Sequence, residues 1–382
     1  MTVPRTESAA EIALAGRPWT AADTPALVVD LDRLEGNIAR MAAVAADRGL
    51  DIRPHFKTHK AVAVAHRQVA AGALGMTVAK LDEATVLVDA GIDDLLIGYE
   101  IVAPPKLDRA MAIAARARLI FAVDSIEGAR ALSGAATAAG LSIRVWIEVE
   151  SGLRRCGVMP DEAGPLAAAM SDLGGIRLDG VFTHAGNAYA APSREAIAQI
   201  SVGEAAAVVG AAAAIRAHGS EVRVISVGST PTAVLVAREP GITEIRPGNY
   251  AFYDAMQVAL GTTTMDTTAL TIAATVVSRP TAERVVIDGG AKTFGLDKGA
   301  HSSDFIKDYG RLVEGGEGAL ERLSEEHGIL RVEPSSPLAP GDRVRVLPNH
   351  ACSVGNLGRG YVGVRNGVIE ELITIDAAGG VH

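Results

Sequence analysis

Along the chain, short apolar runs rich in β-branched residues alternate with longer stretches in which apolar side chains recur every three or four positions. The runs Ala26–Asp30, Asp51–Pro54, Gly75–Val78, Asp94–Ile97, Leu119–Val123, Ile143–Glu148, Leu178–Thr183, Val222–Val227 and Glu244–Arg246 read as strands. The periodic stretches Leu31–Arg48, Lys60–Ala71, Leu81–Ala90, Pro105–Ala117, Ser125–Ala139 and Arg194–His218 read as amphipathic helices. Strands alternating with helices of this length build βα units on a parallel sheet. About eight such units predict an α/β fold, a closed TIM-type (β/α)8 barrel over residues 24–261. Beyond Thr262 the rhythm changes. Leu270–Val277, Arg284–Ile287, Arg343–Leu347, Gly360–Arg365 and Val368–Ile373 read as strands with no long helix between them. They predict a C-terminal β domain over 262–382, joined by residues 1–23.

Composition narrows the classes. The 382 residues are 48% hydrophobic and only 4% aromatic, so Ala and Val supply much of a sizeable core. Formal net charge is -9, and no basic cluster interleaved with aromatics stands out, which argues against nucleic acid as a partner. No apolar run long enough to span a bilayer is expected, and Met1–Trp19 lacks the charged-then-apolar pattern of a signal peptide. Two cysteines far apart, Cys156 and Cys352, fit a reducing cytoplasm better than a disulfide framework.

Chemistry concentrates where strands are expected to end. Arg53-Pro54-His55-Phe56-Lys57-Thr58-His59-Lys60 closes the second strand and opens a helix. Apolar walls at such a place lower a lysine's pKa and make it a usable amine for covalent attachment to an aldehyde cofactor. His55 and His59 flank it and could relay protons. The competing reading is a basic, solvated helix start, but basic residues there oppose the helix dipole and hint at an anion nearby. Gly228-Ser229-Thr230 and Gly248-Asn249-Tyr250 follow two late strands and offer the amide and hydroxyl donors that suit a phosphate, although each is also ordinary turn chemistry. His350-Ala351-Cys352 places an imidazole and a thiol two residues apart, on one side of the chain if the strand continues through them.

The lysine segment resembles the Pro-His-x-Lys-x-His-Lys motif of the D-threonine aldolase and D-serine dehydratase family, which has the alanine-racemase-like, fold-type III architecture. The resemblance runs from Thr24-Pro25-Ala26 to Gly363-Val364-Arg365 and keeps several motifs in order. It implies pyridoxal 5'-phosphate (PLP) on Lys57, with its phosphate on Gly228, Ser229, Thr230, Gly248, Asn249 and Tyr250. Arg155, in the loop ending Arg155-Cys156-Gly157-Val158, would meet the cofactor's phenolic oxygen, and Cys156 would be packing. His184 would lie against the ring or the substrate; some members have tyrosine there. His350 and Cys352 would hold a divalent metal. Many D-threonine aldolases carry His-x-Asp, suited to manganese or magnesium, whereas a thiolate favours zinc and points to the dehydratase branch.

The expected activity is therefore that of a lyase on a small D-β-hydroxy amino acid such as D-serine, D-threonine or D-threo-3-hydroxyaspartate, giving keto acid and ammonia, with Lys57 as the base. The alternatives are aldolase-type cleavage to glycine and an aldehyde, with His59 as base, a racemase, and a non-catalytic PLP-binding carrier or regulator. The resemblance also implies a homodimer. Asp288-Gly289-Gly290-Ala291-Lys292 and Ser324-Glu325-Glu326-His327-Gly328 are read as turns.

Overall fold

The computed structural model describes residues 14–300 and 306–382. Strand β1 is Ala26–Asp30. Eight parallel strands follow: β2 (Asp51–Ile52), β3 (Met76–Val78), β4 (Asp94–Glu100), β5 (Arg118–Val123), β6 (Ile143–Glu148), β7 (Ile176–Phe182), β8 (Val224–Val227) and β9 (Glu244–Ile245). Their order is β2-β9-β8-β7-β6-β5-β4-β3. The two ends of that order meet: the Leu74 N–H donates to Ile52 O (3.0 Å) and the Thr77 N–H to Pro54 O (2.8 Å), which closes the (β/α)8 barrel. Strands such as β5 and β6 are buried along nearly their whole length, as strands covered on both faces must be.

Serine caps set two of the outer helices. Ser125 accepts the Gly128 N–H ahead of helix Ile126–Ala138, and Ser193 accepts that of Ala196 ahead of helix Arg194–Ala217. The second of these helices is, contrary to expectation, long and apolar enough by composition to cross a membrane. In the structure it is an outer helix of the barrel that buries one face. Ile197, Ser201, Glu204, Ala205, Val208, Ala211, Ala212 and Ile215 form one buried face, and the helix packs on β7 and β8.

A polar chain threads the barrel interior. Arg53, 1% exposed, is paired with Asp94 (2.6 Å) and Glu244 (3.0 Å). Ser226 donates to Glu244 (2.6 Å), the Arg246 Nε–H donates to Ser226 (2.8 Å), and Arg246 also donates to the carbonyl of Thr183. The bonds run from strand starts to the residue after β7, so they fix strand ends against one another.

The remaining strands are β10 (Leu270–Thr281), β11 (Arg284–Ile287), β12 (Gly310–Leu312), β13 (Gly318–Leu323), β14 (Gly328–Val332), β15 (Arg343–Pro348), β16 (Gly360–Arg365) and β17 (Val368–Thr374). They form a nine-stranded sheet ordered β11-β14-β13-β12-β15-β10-β1-β16-β17, and an added β10–β11 pairing closes six of the strands into an antiparallel barrel. Here β1 departs from its expected place. It pairs antiparallel with β10 and parallel with β16 rather than within the (β/α)8 barrel. Three consecutive buried residues followed directly by helix Leu31–Ala46 imitate a barrel unit, and periodicity cannot tell the two environments apart. Ahead of β1, Pro18 bridges Val368, and the Trp19 N–H donates to Gly367 O (2.9 Å). The rest of the expected N-terminal contribution, residues 1–13, lies outside the described residues.

The chain divides into two compact units, one formed by the described parts of residues 1–39, 58–64 and 249–379, the other by 40–57, 65–248 and 380–382.

Candidate active site

In the unit that carries the (β/α)8 barrel, β2 runs into a 3-10 turn, Phe56–Thr58, that carries a half-buried Lys57. The Lys57 N–H donates to Nδ1 of His55 (3.3 Å), and two turns of chain later the Ala61 N–H donates to Nδ1 of His59 (3.2 Å). A ring nitrogen that accepts a backbone N–H carries a lone pair, so each neutral imidazole bears its proton on Nε2 and presents a donor there. His55 thereby braces the lysine turn, while His59 ties the segment that follows it. The helix itself starts at Val62, whose N–H donates to Asp376 (2.8 Å). The basic residues therefore precede the helix rather than open it, and a carboxylate satisfies its N-terminus; the dipole argument for a nearby anion falls.

Lys57, Arg155, His184, Gly228 and Gly248 all lie C-terminal to barrel strands, hence at one end of the parallel barrel, the end that carries chemistry in this architecture. Gly228 has φ +109°, a conformation that favours glycine, and a Cβ there would come to 3.3 Å from the Arg246 nitrogen. Its N–H donates to Glu204 (2.7 Å), while the Ser229 N–H donates to Thr232 Oγ1 (3.1 Å). Ser229 and Thr230 bring hydroxyls into a turn where each residue is 2% exposed. Burial pushes the Glu204 carboxyl up to about 7, against the N–H bonds that favour its anion. An acid only partly ionised at neutral pH beside the turn is compatible with a phosphate there. Gly248 and His184 are half-buried. Arg155 keeps 45% of its side chain open and pairs with Glu148 (3.3 Å). The thiol of Cys156 is pushed up to about 12 by burial and by the neighbouring Glu148 and Glu100 carboxylates, so it is no nucleophile.

The other unit carries Asn249, Tyr250, His59, His350 and Cys352. Asp254, missed in the sequence, organises it. Its carboxylate accepts from Asn249 Nδ2 (2.6 Å), from the Gln257 N–H (3.0 Å) and from the Ala351 N–H (2.9 Å). It thus joins the Asn249 turn to the residue between His350 and Cys352. Asn249 and Tyr250 are 3% and 1% exposed, and the Asn249 Oδ1 is buried with no partner among the described residues.

His350 and Cys352 do not share a strand face. β15 stops at Pro348, His350 caps helix Ala351–Leu357 and Cys352 sits in its first turn. The two side chains still meet, because the turn of the helix brings Cys352 back to the ring. Nδ1 of His350 is hydrogen-bonded to Asp297, which also accepts from Ser353 Oγ (2.8 Å). Burial works against a charged His350 ring, yet the Cys352 and Asp297 anions outweigh it and hold the pKa well above that of a free histidine. Thr58 Oγ1 lies 3.2 Å from the Cys352 sulfur. An imidazole whose Nδ1 is committed to a carboxylate, next to a thiol, is the donor set of a transition-metal site with its outer-sphere support in place. Asp297 gave no signal in the sequence, standing alone more than fifty residues before the histidine it orients. Asp288 and Glu325-Glu326 prove to be turn residues: Asp288 accepts from Thr24 (2.6 Å) and the Thr275 N–H (2.8 Å), and Lys292 pairs with Glu326 (2.6 Å).

A parallel barrel with a lysine and glycine-rich turns at one end, followed by an antiparallel barrel, is the alanine-racemase-like fold. Residues 29–255 match the family described as alanine racemase, N-terminal domain, and residues 269–364 match the putative serine dehydratase domain. The chain belongs to this two-domain family, the one its lysine motif resembles. It is 38% identical over 351 residues to a D-threo-3-hydroxyaspartate dehydratase from Delftia sp. (strain HT23), covering 87% of this chain and 92% of that protein. The crystal structure of a D-threonine aldolase from Filomicrobium marinum superposes with a TM-score of 0.90 at 32% identity, over 96% of this chain and 99% of that one. A D-threo-3-hydroxyaspartate dehydratase variant with one cysteine changed to alanine, in a metal-free form, superposes at 0.87 with 34% identity, over 94% and 98% of the two chains.

Proposed function

We propose that this chain is a PLP- and divalent-metal-dependent lyase that converts a small D-β-hydroxy amino acid to a keto acid and ammonia. The observation that carries the reading is the His350–Cys352 pair with Asp297 bound to the far side of the imidazole. A relative's cysteine-to-alanine variant, described in a metal-free form, is in keeping with the thiol as a ligand.

In this reading Lys57 holds the cofactor, Gly228, Ser229, Thr230, Gly248, Asn249 and Tyr250 hold its phosphate, Arg155 its phenolic oxygen, and His184 lies along its ring. When bound, the cofactor supplies an electron sink at the substrate α-carbon and the metal a Lewis acid for the leaving hydroxyl. The protein does the rest. The amine of Lys57, whose backbone N–H is held by the His55 ring, takes the α-proton. Asp297 keeps the His350 proton on Nδ1 and so leaves Nε2 to ligate. A thiolate ligand from Cys352 favours zinc; manganese or magnesium would suit an oxygen ligand better.

A second reading, aldolase-type cleavage, is favoured by the 0.90 superposition on a D-threonine aldolase. It needs a base for the β-hydroxyl, and His59 fits that duty poorly, since Nδ1 is taken by the Ala61 N–H and Nε2 carries the ring proton. Incubation with D-threonine and with D-threo-3-hydroxyaspartate, with and without chelator, separates the two. The dehydratase reading requires 2-oxobutanoate and ammonia from D-threonine, lost on chelation; glycine and acetaldehyde would establish the aldolase. The reading carries a homodimer with it, tested by light scattering. The cytoplasm is the compartment that fits two cysteines not joined by a disulfide.

A further inference from the structure

Two carboxylates that the mechanism does not use stand together at the chemical end of the (β/α)8 barrel. Glu100 is the last residue of β4 and Glu148 the last of β6. Their carboxylate oxygens and the Cys156 sulfur lie within 4.8 Å of one another. Glu148 is 3% exposed. Its Oε1 accepts from Arg155 (3.3 Å) and from the Cys156 thiol (3.5 Å), but its Oε2 is buried without a hydrogen-bond donor among the described residues, and so is Oε1 of Glu100.

We propose that Glu100 and Glu148 share a single proton, and that the resulting acid–carboxylate pair positions Arg155. The two carboxyl groups are in hydrogen-bonding contact, and one proton between them supplies the donor that buried acceptors need. Doubly ionised, they would face each other in a site shielded from water. The charged and titratable groups around them are Asp124, whose carboxylate accepts the Gly157 N–H (3.2 Å), together with Arg155, Cys156 and the buried Arg246. Asp124 adds repulsion, and Arg155 is already bonded to Oε1 of Glu148. Burial first, then Glu148, pushes the Glu100 carboxyl up to about 8, in keeping with a proton retained at neutral pH. The pair then carries one negative charge against the one positive charge of Arg155. Losing the proton would double that negative charge and draw the guanidinium inward, away from whatever it holds on its exposed side. Glu100 and Glu148 are thus positioning residues. The consequence for the cofactor rests on the reading that Arg155 meets its phenolic oxygen.

The test separates the two claims. Infrared difference spectra of the cofactor-free full-length protein between pH 6 and 10 report protonated carboxyls directly. Wild type should lose one carboxylic-acid carbonyl signal with a midpoint near 8. Glu100→Gln, which keeps an amide donor towards Glu148, should lack that signal; Glu148→Gln serves if Glu100→Gln does not fold. Absence of the signal from wild type overturns the proposal. So does stoichiometric Zn²⁺ or Mn²⁺ binding to a His350→Ala/Cys352→Ala double variant that Glu100→Gln abolishes, because the three donors would then be a cation site. In the cofactor-loaded protein, Glu100→Gln should remove a pH-dependent shift of the cofactor absorption centred near 8, and Arg155→Lys should displace the band at all pH values. A carboxyl signal with a cofactor band that responds to neither substitution upholds the shared proton and sinks the assignment of Arg155 to the cofactor.

Discussion

Asp297→Asn probes the proposed metal centre without touching a ligand. The Asp297 carboxylate accepts from Nδ1 of His350 and from Ser353 Oγ at 2.8 Å, so it fixes the ring's orientation and its tautomer together. An asparagine of nearly the same shape keeps one acceptor but loses the charge. Support of this kind is worth roughly 10- to 100-fold in metal affinity, about 1.4 to 2.7 kcal/mol. The geometry decides where in that range the loss falls. Only 16% of the His350 side chain is exposed, but 35% of that of Asp297 is, so solvent already screens the anion and the weaker end applies, a loss of about tenfold. Ser353→Ala, which removes a hydroxyl 3.2 Å from Nδ1 but leaves the Asp297–His350 bond intact, should cost less. The assay is competition for zinc against a chromogenic chelator at pH 7.5, with circular dichroism as the check on folding. Affinity unchanged in a folded Asp297→Asn protein would refute an outer role for this carboxylate. A loss beyond about 1,000-fold would refute it the other way and make Asp297 itself a ligand.

Other substitutions test the scaffold. Arg53→Met should leave the buried Glu244 without its ion partner and Asp94 with only the exposed Arg118 (3.3 Å), and destabilise the fold by about 3 to 5 kcal/mol in urea unfolding; a change under about 1 kcal/mol would mean that the barrel's polar chain is dispensable. Glu204 has a native pKa of about 7 against an ordinary 4.5, so its contribution is full below about pH 4.5 and disappears as pH rises through 7. Wild type should therefore lose stability relative to Glu204→Gln over that window, by at most about 1.4 kcal/mol per pH unit. Parallel curves for the two proteins would show that Glu204 is already ionised in the native state. Gly355→Ala would put a Cβ 2.4 Å from the Thr58 carbonyl and should cost about 1 to 3 kcal/mol; an unchanged midpoint would mean that the helix following His350 shifts freely.

The barrel was legible because its signal is redundant: eight strands buried on both faces, with a helix after nearly every one, repeat a single message. Ala26–Asp30 misled because three buried residues and a following helix look the same beside β10 as beside a barrel strand. The candidate site was legible where one stretch of chain holds several chemical groups together, as at His55–Lys57–His59 and His350–Cys352. Its supports were not. Asp297, Asp254, Glu100 and Glu148 are single acidic residues whose partners lie elsewhere in the chain, and only folding shows that each stands against a histidine, an asparagine or another carboxylate. The local geometry of the His–Cys pair was also misjudged, since a helix cap rather than strand alternation brings the two side chains together.

The account depends most on Lys57 as the residue that binds the cofactor. Borohydride reduction of the PLP-loaded protein, followed by digestion and mass spectrometry, reads this directly. The account predicts one phosphopyridoxyl group per chain, on the peptide containing Lys57, and none in Lys57→Ala. Label on Lys60, Lys80 or another lysine, or no label on a protein that turns over substrate, would contradict it.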